Sequence, residues 1–373
     1  MRIERPESYA EAAALLGDAA SDGRLVRPRG GGTKWNWGAP AAEPDWILST
    51  SRLDRVLEHN VGDLTAVLQA GARLADAQAL FAEAGQMLAL DPPLGERDAA
   101  TIGGIVAAAD SGPLRHRYGA ARDLLLGATV ALSDGTVARS GSKVIKNVAG
   151  YDLAKLFAGS LGTLGTIVEV VVRLHPRPAS TATVIGVTGS AEELAQAALS
   201  LSQAPLELDA LDVCWESGRG SLLAQVGGVA AAVRAARIAR ELPLDASARD
   251  DDGALWARQR ERQRSSNGVV IRVSGLPAEL ARALALAERL DASLAGRAGV
   301  GTWWLTLSPS EPDAVDELRR GLRPFPCAVV DAPRDAGRAT DRWGPSDPAL
   351  VRLSRRVKER FDPAGVCSPG ALP

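Results

Sequence analysis

The residues best suited to hold a ligand lie between Lys143 and Glu169, where glycines alternate with polar side chains. The glycines are Gly150, Gly159, Gly162 and Gly165. A backbone without Cβ atoms can approach a flat or charged ligand closely. Polar side chains are added by Lys143, Lys146, Asn147, Tyr151, Asp152 and Lys155. The stretch predicts a ligand-binding loop, although a glycine-rich connection between two strands has the same composition.

A second glycine loop, Pro28–Lys34, follows a short predicted strand at Leu25–Val26. Its three consecutive glycines, Gly30 to Gly32, expose several backbone N–H groups, which together can hold an anion such as a pyrophosphate. The spacing matches neither G-x-G-x-x-G nor G-x-x-x-x-G-K-[ST], so an ordinary Rossmann or Walker phosphate loop is excluded. A flexible hairpin or linker is the alternative for this motif taken alone.

Further glycine-rich loops separate these two stretches. A proline-stiffened loop, Asp91–Gly95, leads into the small-residue turn Thr101–Gly104, which opens a short predicted helix. Ser111-Gly112 and Arg117–Gly119 follow as additional glycine-punctuated loops. Each of the glycine-rich loops thus lies beside a predicted strand or helix.

The elements that position these loops follow from hydrophobic periodicity and turn signals. Helices are predicted at Ala10–Leu16, ended by Gly17, and at Leu74–Ala84. Strands are predicted at Trp46–Ser49, Ala66–Gln69 and Thr166–Leu174. Within Val130–Val137, Asp134-Gly135 is typical of a hairpin with a type I′ turn.

The composition excludes several classes of function. The 373 residues suggest two or three domains, and a hydrophobic content of 46% is enough for a substantial core. The formal net charge is −2 with no long like-charge run, so nucleic-acid binding is not expected. No apolar run reaches the roughly 18 residues needed to span a bilayer. Cys214, Cys327 and Cys367 are too few and too far apart for an iron–sulfur cluster or a C-x-x-C zinc site.

The composition changes after Pro178, and residues 180–330 alternate strands with helices. The main predicted elements are helices at Ala191–Ser202, Gly228–Leu242 and Asp313–Arg320 and a strand at Thr302–Leu307. Their order predicts an α+β domain with an antiparallel sheet, in which Ala246–Ala254 is a polar linker or loop. Buried packing is expected for Trp215, Trp256, Trp303 and Trp304. A solvated face, or contact with a carboxylate substrate or acidic partner, is expected for Arg258, Arg260, Arg262 and Arg264.

The glycine motifs, in this order, resemble the FAD-binding domain of the vanillyl-alcohol-oxidase type, also called PCMH-type. The matching residues are R-G-G-G-T at 29–33, T-I-G-G at 101–104, Y-G at 118–119, K-N-V-A-G-Y-D-L at 146–153 and G-S-L-G-T-L-G at 159–165. The last two are similar to the branch of glycolate oxidases and D-lactate dehydrogenases, most of all to the FAD-binding E-type subunits of bacterial glycolate oxidases. The C-terminal K-x-x-F-D-P-x-G, from Lys358 to Gly365, supports this resemblance. Ser368 departs from it, because relatives usually show Asn-Pro-Gly at that end.

The resemblance implies that the chain binds FAD. Backbone amides of Gly30 to Thr33 would hold the pyrophosphate, and the flavin would lie along the turn that begins at Thr101. Thr33 stands where a histidine of some relatives bonds covalently to the flavin, so the FAD is expected to be non-covalent. The cofactor-binding residues implied by the resemblance are Arg29, Gly30, Gly31, Gly32, Thr33, Lys34, Pro93, Thr101, Gly103, Gly104, Ala107, Ser111, Gly112, Tyr118, Gly119, Gly162, Gly165 and Ile167.

Whether the chain oxidises a substrate by itself depends on its bases. Oxidation of a 2-hydroxy acid at a flavin needs a group that takes the hydroxyl proton. The catalytic relatives resemble one another in a histidine-rich metal site in the cap domain, whereas this chain has only His59, His116 and His175, none of them in the predicted cap. No metal is therefore expected. His116 is a candidate base, with a solvated loop histidine as the alternative, and Leu161 stands where catalytic relatives commonly carry Glu.

The sequence thus predicts an α+β protein with a two-subdomain PCMH-type FAD-binding domain over 1–178, an α+β cap over 179–340 and a C-terminal segment over 341–373 that returns to the FAD domain. The first predicted function is the FAD-binding subunit of a glycolate oxidase complex, which passes electrons from glycolate towards an iron–sulfur subunit beside a catalytic flavoprotein subunit. The alternatives are a non-catalytic structural subunit and a free-standing FAD-dependent hydroxy-acid dehydrogenase. Because the N-terminus lacks the profile of a signal peptide, we expect a cytoplasmic protein, or one held at the inner membrane through its complex.

Overall fold

The computed structural model describes residues 1–39, 43–143, 151–309, 313–333 and 341–372, and the chain divides into two compact units. The first unit consists of Met1–Ser111, Ala120–Arg177 and Pro345–Pro373. The second consists of Gly112–Gly119 and Pro178–Gly344.

The first 177 residues contain short strands and helices. The strands are β1 (Arg2–Glu4), β2 (Val26–Arg29), β3 (Trp46–Ser49), β4 (Val56–Asn60), β5 (Thr65–Gln69), β6 (Gln86–Met87), β7 (Leu125–Ala131), β8 (Val137–Gly141), β9 (Thr166–Arg173) and β10 (His175–Pro176). The helices are α1 (Tyr9–Ser21), α2 (Leu74–Glu83), α3 (Ile102–Ala108), α4 (Arg115–Tyr118) and α5 (Ala121–Leu124).

The first unit is built on two main sheets. An antiparallel sheet has the strand order β4-β5-β9-β7-β8, and a smaller parallel sheet has the order β1-β3-β2. All five residues of β5 are buried, as expected for a central strand covered on both faces. The predicted strand Trp46–Ser49 is confirmed with its bounds unchanged.

Helix α1 differs from its prediction at its C-terminal end. Ser8 caps its N-terminus, because the Ser8 hydroxyl accepts a hydrogen bond from the Glu11 N–H at 3.1 Å. The prediction that Gly17 ends the helix is wrong, since the helix continues to Ser21. A Cβ atom on Gly17 would lie 3.1 Å from the Cα of Gly135, so this glycine allows the helix to pack closely on the β7–β8 turn.

The β7–β8 hairpin forms at Asp134-Gly135, but the predicted type I′ turn is wrong. A type I′ turn needs positive φ at both central residues, and only Gly135, at +82°, has it. The Gly135 N–H donates to the Leu132 carbonyl, and the Leu132 N–H donates to the Thr136 carbonyl. This pattern is a type I turn followed by a left-handed glycine, and the Asp134 carboxylate completes it by accepting from the Thr136 N–H and hydroxyl.

The rest of the chain supplies the second unit and one further helix. The strands are β11 (Thr181–Thr188), β12 (Ala210–Glu216), β13 (Arg219–Gly227), β14 (Asp245–Arg249), β15 (Val269–Ser274), β16 (Ser293–Arg297), β17 (Thr302–Leu307) and β18 (Cys327–Asp331). The helices are α6 (Ala191–Gln203), α7 (Ala231–Glu241), α8 (Gly253–Glu261), α9 (Leu280–Arg289), α10 (Ala314–Gly321) and, in the first unit, α11 (Pro348–Phe361).

The second unit is an eight-stranded antiparallel sheet with the order β14-β11-β13-β12-β16-β17-β15-β18. Alternate residues of β13 face opposite sides: Leu222 and Ala224 join the core under α6, α7, α9 and α10, whereas Leu223 packs with Trp256 of α8. The predicted α+β class with an antiparallel sheet is confirmed. The four tryptophans predicted to be buried are each at most 3% exposed.

The prediction of a polar linker at Ala246–Ala254 is wrong. Residues up to Arg249 form β14 at the sheet edge, where polar side chains face solvent on a strand that pairs on one side only. Asp252 then begins α8, and its carboxylate accepts hydrogen bonds from the hydroxyls of Thr181 and Thr183 and from the Gln225 amide. Asp252, the last residue of the acidic run, is therefore a buried attachment point for α8, whereas Asp250 and Asp251 are exposed.

Candidate functional site

A cleft in the first unit brings most of the predicted cofactor residues together. The predicted residues that line it are Arg29, Gly30, Gly31, Gly32, Thr33, Lys34, Thr101, Gly103, Gly104, Ala107, Gly162, Gly165 and Ile167. The predicted residues outside its lining are Pro93, Ser111, Gly112, Tyr118 and Gly119. The lining also includes Arg27, Pro28, Trp35, Trp37, Thr50, Ala70, Ala108, Leu161 and Thr166.

The glycine loop after β2 lies directly against the turn that begins α3. A Cβ atom on Gly31 would lie 1.6 Å from the Ala99 carbonyl oxygen, and one on Gly30 would lie 2.0 Å from the Thr101 hydroxyl. Larger residues would therefore push the loop out of the cleft. The loop is backed by β2 and β3, because the Thr50 N–H donates to the Arg29 carbonyl at 3.0 Å.

Helix α3 forms the floor of the cleft. Thr101 caps it, and the Gly103 N–H donates to the Ala70 carbonyl at 2.8 Å, which joins the helix to the end of β5. A Cβ atom on Gly103 would lie 2.6 Å from the Ala70 Cβ, so only glycine permits this contact. The T-I-G-G motif thus combines a helix cap with a close approach between a helix and a strand.

The G-S-L-G-T-L-G segment forms the wall that leads into β9. The Leu161 N–H donates to the Ala107 carbonyl at 2.8 Å, which attaches the segment to α3. Leu161 has a φ of +51°, a conformation that costs free energy for a residue with a side chain. Its half-buried side chain makes this part of the cleft apolar, where a Glu would bring a carboxylate.

The C-terminal segment fastens this wall. The Lys358 ammonium donates to the Thr163 carbonyl at 2.7 Å, to the Cys367 carbonyl at 2.8 Å and to the Asp362 carboxylate. The Val26 N–H donates to the Val366 carbonyl, so the same segment also extends the sheet beside β2. The K-x-x-F-D-P-x-G motif therefore supports the cleft from behind.

Two threonines that line the cleft have buried hydroxyls without a partner among the described residues. Thr50 is 5% exposed and Thr166 is fully buried, and neither hydroxyl oxygen has a hydrogen-bond partner among the described residues. A buried hydroxyl without a partner costs about 1–3 kcal/mol. A ligand whose polar atoms form hydrogen bonds with these hydroxyls would remove that cost. Sequence reasoning missed both threonines, because nothing in their local pattern separates them from ordinary strand residues.

The cleft also contains charge and aromatic surface. Lys34 lies 3.1 Å from a carboxylate oxygen of Asp110, and their side chains are 7% and 1% exposed. The Arg27 guanidinium lies 4.1 Å from the centre of the Trp35 ring, and burial lowers its pKa. The cleft thus combines glycine backbone, cationic side chains, hydroxyls without a partner and an indole ring. These groups fit FAD, which carries a pyrophosphate, a polyol chain and planar rings.

The structure places His116 in the second unit. Its Nδ1 is buried, and the neighbouring Gly299 leaves room for the ring, since a Cβ there would lie 2.5 Å from Nδ1. Burial lowers the pKa of His116, which favours the neutral imidazole. Arg117 beside it forms an ion pair with Asp209 at 2.8 Å. The imidazole is thus half-buried instead of solvated, and its role as a base stays a prediction.

The remaining candidates are scattered. His59 contacts the Gln86 amide oxygen at 2.9 Å, and His175 belongs to the short β10 strand paired with Met87. In the described parts of the chain, no three His, Cys, Asp or Glu residues are grouped as a metal site. Lys146, Asn147 and Gly150, the centre of the K-N-V-A-G-Y-D-L motif, lie outside the described residues.

Comparisons with known proteins agree with this cleft. Residues 2–141 match the model of a family described as an FAD binding domain. The chain is 31% identical over 331 residues to glycolate oxidase subunit GlcE of Escherichia coli (strain K12), covering 85% of this chain and 84% of the relative. This chain belongs to the same family of FAD-binding flavoproteins. It is therefore an FAD-dependent oxidoreductase, and the predicted resemblance to the PCMH-type flavoproteins is confirmed.

Further relatives extend the comparison to the whole chain. A D-2-hydroxyglutarate dehydrogenase of Xanthomonas citri pv. viticola is 27% identical over 425 residues, covering 100% of this chain and 89% of the relative. A solved structure of alkyldihydroxyacetonephosphate synthase shares the fold with a TM-score of 0.69 at 16% identity, covering 98% of this chain and 76% of that one. Among the described residues, no helix is long and apolar enough to cross a bilayer.

Proposed function

We propose that this flavoprotein is the FAD-binding subunit of a 2-hydroxy-acid oxidase complex, with glycolate as its first candidate substrate. The observation that carries the proposal is the similarity to glycolate oxidase subunit GlcE over most of both chains. The D-2-hydroxyglutarate dehydrogenase relative supports 2-hydroxy acids as the substrate class. In this role the protein works in the cytoplasm, or at the inner membrane where a partner subunit holds it.

The cleft residues would hold the FAD without a covalent bond. FAD, when bound, supplies the two-electron acceptor for oxidising a hydroxyl to a carbonyl. The N–H groups of Gly30 to Gly32 would donate to its phosphates, and Lys34 would add a positive charge nearby. The orphan hydroxyls of Thr50 and Thr166 would bond its polar atoms. Thr33 has a hydroxyl that cannot form the covalent attachment a histidine makes.

The proposed complex also contains a catalytic flavoprotein subunit and an iron–sulfur subunit. In it, the cleft of this chain would hold the FAD that carries electrons from glycolate oxidation towards the iron–sulfur partner. The apolar Leu161 in the cleft wall favours this relay over independent substrate oxidation, because it removes a carboxylate that could serve as a base. A structural role beside the catalytic subunit is the second candidate, supported by the same residue.

The visible spectrum of the purified chain tests the proposal. We expect oxidised-flavin absorption bands that acid precipitation releases into solution, and no bleaching by glycolate, D-lactate or D-2-hydroxyglutarate under anaerobic conditions. We also expect glycolate to bleach the flavin of this chain once the catalytic subunit is added. Rapid bleaching of the isolated chain would establish direct catalysis instead. A colourless chain that stays without FAD when FAD is added would leave the structural role.

A further inference from the structure

Helix α11 has a surface that the other described residues leave exposed. It runs for 14 residues from Pro348 to Phe361, and none of its side chains is buried. Leu350 and Leu353 are 59% and 56% exposed, although they are among the most apolar residue types. An isolated helix of this length is marginal in water, because helices in proteins gain most of their stability from packing. The exposed face is therefore suited to packing against another molecule.

The helix is fastened to the first unit at its C-terminal end. The Phe361 ring packs edge-on against Phe157 with 5.5 Å between ring centres, and Lys358 makes the hydrogen bonds to Thr163 and Cys367 described above. At the other end Asp347 caps the helix, since its carboxylate accepts from the Ala349 N–H at 2.7 Å. The cap and the anchor fix the position of the helix, while Leu350 and Leu353 in its first two turns stay exposed.

The charge on this helix is strongly positive. Arg352, Arg355, Arg356, Lys358 and Arg360 give five cations against the single acid Glu359, in a chain whose formal net charge is −2. Arg352, Arg355 and Arg356 are exposed, and none of them pairs with a carboxylate among the described residues. Elsewhere many exposed arginines are paired, as Arg282 is with Glu279 and Arg289 with Glu317. A partner that binds these three unpaired arginines and two exposed leucines would need carboxylates and an apolar pocket.

We propose that helix α11 is a docking surface for a protein subunit that presents an apolar groove bordered by acidic side chains. Leu350 and Leu353 are exposed and have the i, i+3 spacing with which one face of a helix enters a groove. Guanidinium groups bind carboxylates through two parallel hydrogen bonds, which makes arginine suited to ion pairs at interfaces. The identity of the subunit rests on the proposed function, which supplies a catalytic flavoprotein and an iron–sulfur protein as partners.

A protein partner fits this helix better than a lipid surface. A helix lying in a membrane interface buries a continuous apolar face with aromatic or leucine side chains along its length. Here Ser354 interrupts that face, and Phe361 at its end is engaged with Phe157. A protein interface does not need a continuous apolar face, since a few buried side chains, arginine among the most frequent, carry most of its free energy.

The test uses the tagged full-length chain, loaded with FAD and expressed in its native cell. The complex is isolated and its flavoprotein and iron–sulfur subunits are identified by mass spectrometry. The affinity of the purified partner is then measured for Leu350→Asp/Leu353→Asp and for Arg352→Glu/Arg356→Glu. We expect the first variant to weaken binding by about 30-fold or more. The second should weaken it by about tenfold at low salt and less at high salt, because the ion pairs are screened.

Matched controls separate docking from general effects. Leu276, 58% exposed in the second unit, gives the apolar control Leu276→Asp. Arg219→Glu/Arg240→Glu changes the net charge by the same amount at exposed arginines elsewhere. Both controls should bind the partner as the wild type does. All variants should keep the FAD content and melting temperature of the wild type, because the substituted side chains are exposed.

Three outcomes would overturn the inference. Wild-type affinity in both helix variants would overturn the docking surface while leaving the proposed complex intact. A wild-type chain that binds FAD and is isolated without either subunit would overturn the complex and the docking surface together. Binding to vesicles of 30% phosphatidylglycerol that is lost in Leu350→Asp/Leu353→Asp, with subunit binding unchanged, would assign the helix to a membrane surface.

Discussion

The ion pair between Lys34 and Asp110 places two charges in a nearly dry part of the cleft. Removing one member of such a pair leaves the other charge uncompensated, which costs about 3–5 kcal/mol. We therefore expect Asp110→Asn to lower the free energy of unfolding of the FAD-free protein by about that amount. FAD should restore part of the loss, because its phosphates bring negative charge to the cleft. Urea unfolding with and without FAD measures both effects.

An exposed pair with the same spacing provides the control for this prediction. Lys155 and Asp152 also lie 3.1 Å apart, but their side chains are 34% and 46% exposed. Asp152→Asn should cost less than about 1 kcal/mol in the FAD-free protein, because water screens the pair. An Asp110→Asn protein as stable as the wild type would contradict the view that this pair is desolvated.

Removing the hydroxyl of Thr166 should affect the stability of the FAD-free protein and its affinity for FAD in opposite directions. Thr166→Val keeps the shape of the side chain and removes a buried polar atom that has no partner among the described residues. The FAD-free protein should become equally or more stable, whereas the dissociation constant for FAD should rise about tenfold, for one hydrogen bond of roughly 1.4 kcal/mol. Fluorescence titration of the FAD-free protein and thermal unfolding measure the two quantities.

Thr129 is the matched control for Thr166. It lies in the same sheet, but its hydroxyl donates to the buried Glu169 carboxylate at 2.8 Å. Thr129→Val should therefore destabilise the protein by about 1–3 kcal/mol and leave FAD affinity unchanged. If both valine variants behave alike, the Thr166 hydroxyl does not face the cofactor.

The individual residues of the cleft differ in how well they could be predicted from the sequence. Glycines mark turns and close contacts of the backbone, so the loops at Gly30–Gly32 and Gly103-Gly104 could be predicted from the sequence. Their assignment to a cofactor came from the resemblance to a known family. Thr50, Thr166 and Trp35 enter the cleft through strand register and loop path, which depend on contacts distant in sequence. The sequence does not distinguish a strand threonine that faces a cofactor from one that faces the protein core.

At the scale of elements, Lys358 joins three segments, because its ammonium bonds the carbonyls of Thr163 and Cys367 and the carboxylate of Asp362. Hydrogen bonds to charged groups contribute about 1.5–3 kcal/mol each. We expect Lys358→Met to destabilise the first unit by about 3 kcal/mol or more and to weaken FAD binding, since the wall at Thr163 loses its support. Arg355→Met on the same helix removes the same charge and should change neither quantity. Thermal unfolding and FAD titration decide the outcome.

The second unit contains a buried ion pair whose effect depends on pH. Asp212 and Arg297 are both fully buried, with 3.3 Å between the guanidinium and the carboxylate, and Arg297 also lies over the Trp304 ring. Burial raises the pKa of Asp212 to about 6, although Arg297 acts in the opposite direction. In the unfolded chain an Asp carboxyl has a pKa near 3.9, so the folded protein holds the proton of Asp212 more tightly than the unfolded chain does. This difference favours folding fully at pH values below 3.9, and its contribution is lost as the pH rises through about 6.

A double substitution isolates this contribution. Asp212→Asn/Arg297→Met removes both charges together, so neither is left unpaired. The stability of the wild type relative to this variant should fall by about 3 kcal/mol between pH 4 and pH 7, at 1.4 kcal/mol per pKa unit. Urea unfolding across that range, followed by the fluorescence of the buried tryptophans, provides the measurement. A difference that is constant with pH would show that Asp212 keeps an ordinary pKa.

Elements were predicted best where their pattern is local. The strand Trp46–Ser49 and the helix α2 followed from apolar periodicity, whereas β14 was missed. An edge strand with polar side chains has no apolar alternation, and its pairing with β11 provides the stabilisation that the sequence of β14 does not show. The same argument applies to Asp252, whose three hydrogen-bond donors come from two other strands.

At the scale of the whole molecule, the division into two units predicts two unfolding steps. Separate cores allow separate cooperative transitions, and the FAD cleft is lined by residues of the first unit alone. FAD at 100 times its dissociation constant should stabilise the first unit by about 2.7 kcal/mol and leave the second unchanged. Hydrogen exchange measured peptide by peptide in increasing urea separates the units. One transition shared by all peptides would show that they unfold together. The domain boundaries predicted from the sequence remain a proposal that this experiment also addresses.

The hydrogen bonds from Val26 to Val366 and from Ser368 to Val26 have a consequence for biosynthesis. The ribosome makes β2 early, but its partner residues and the Lys358 anchor of the cleft wall emerge more than 300 residues later. Almost all of the second unit is continuous in sequence and emerges before them. The second unit can therefore fold while translation continues, and the first has to wait. The cell must keep the glycine loops from aggregating during that interval, and cofactor loading becomes the last event in the maturation of the protein.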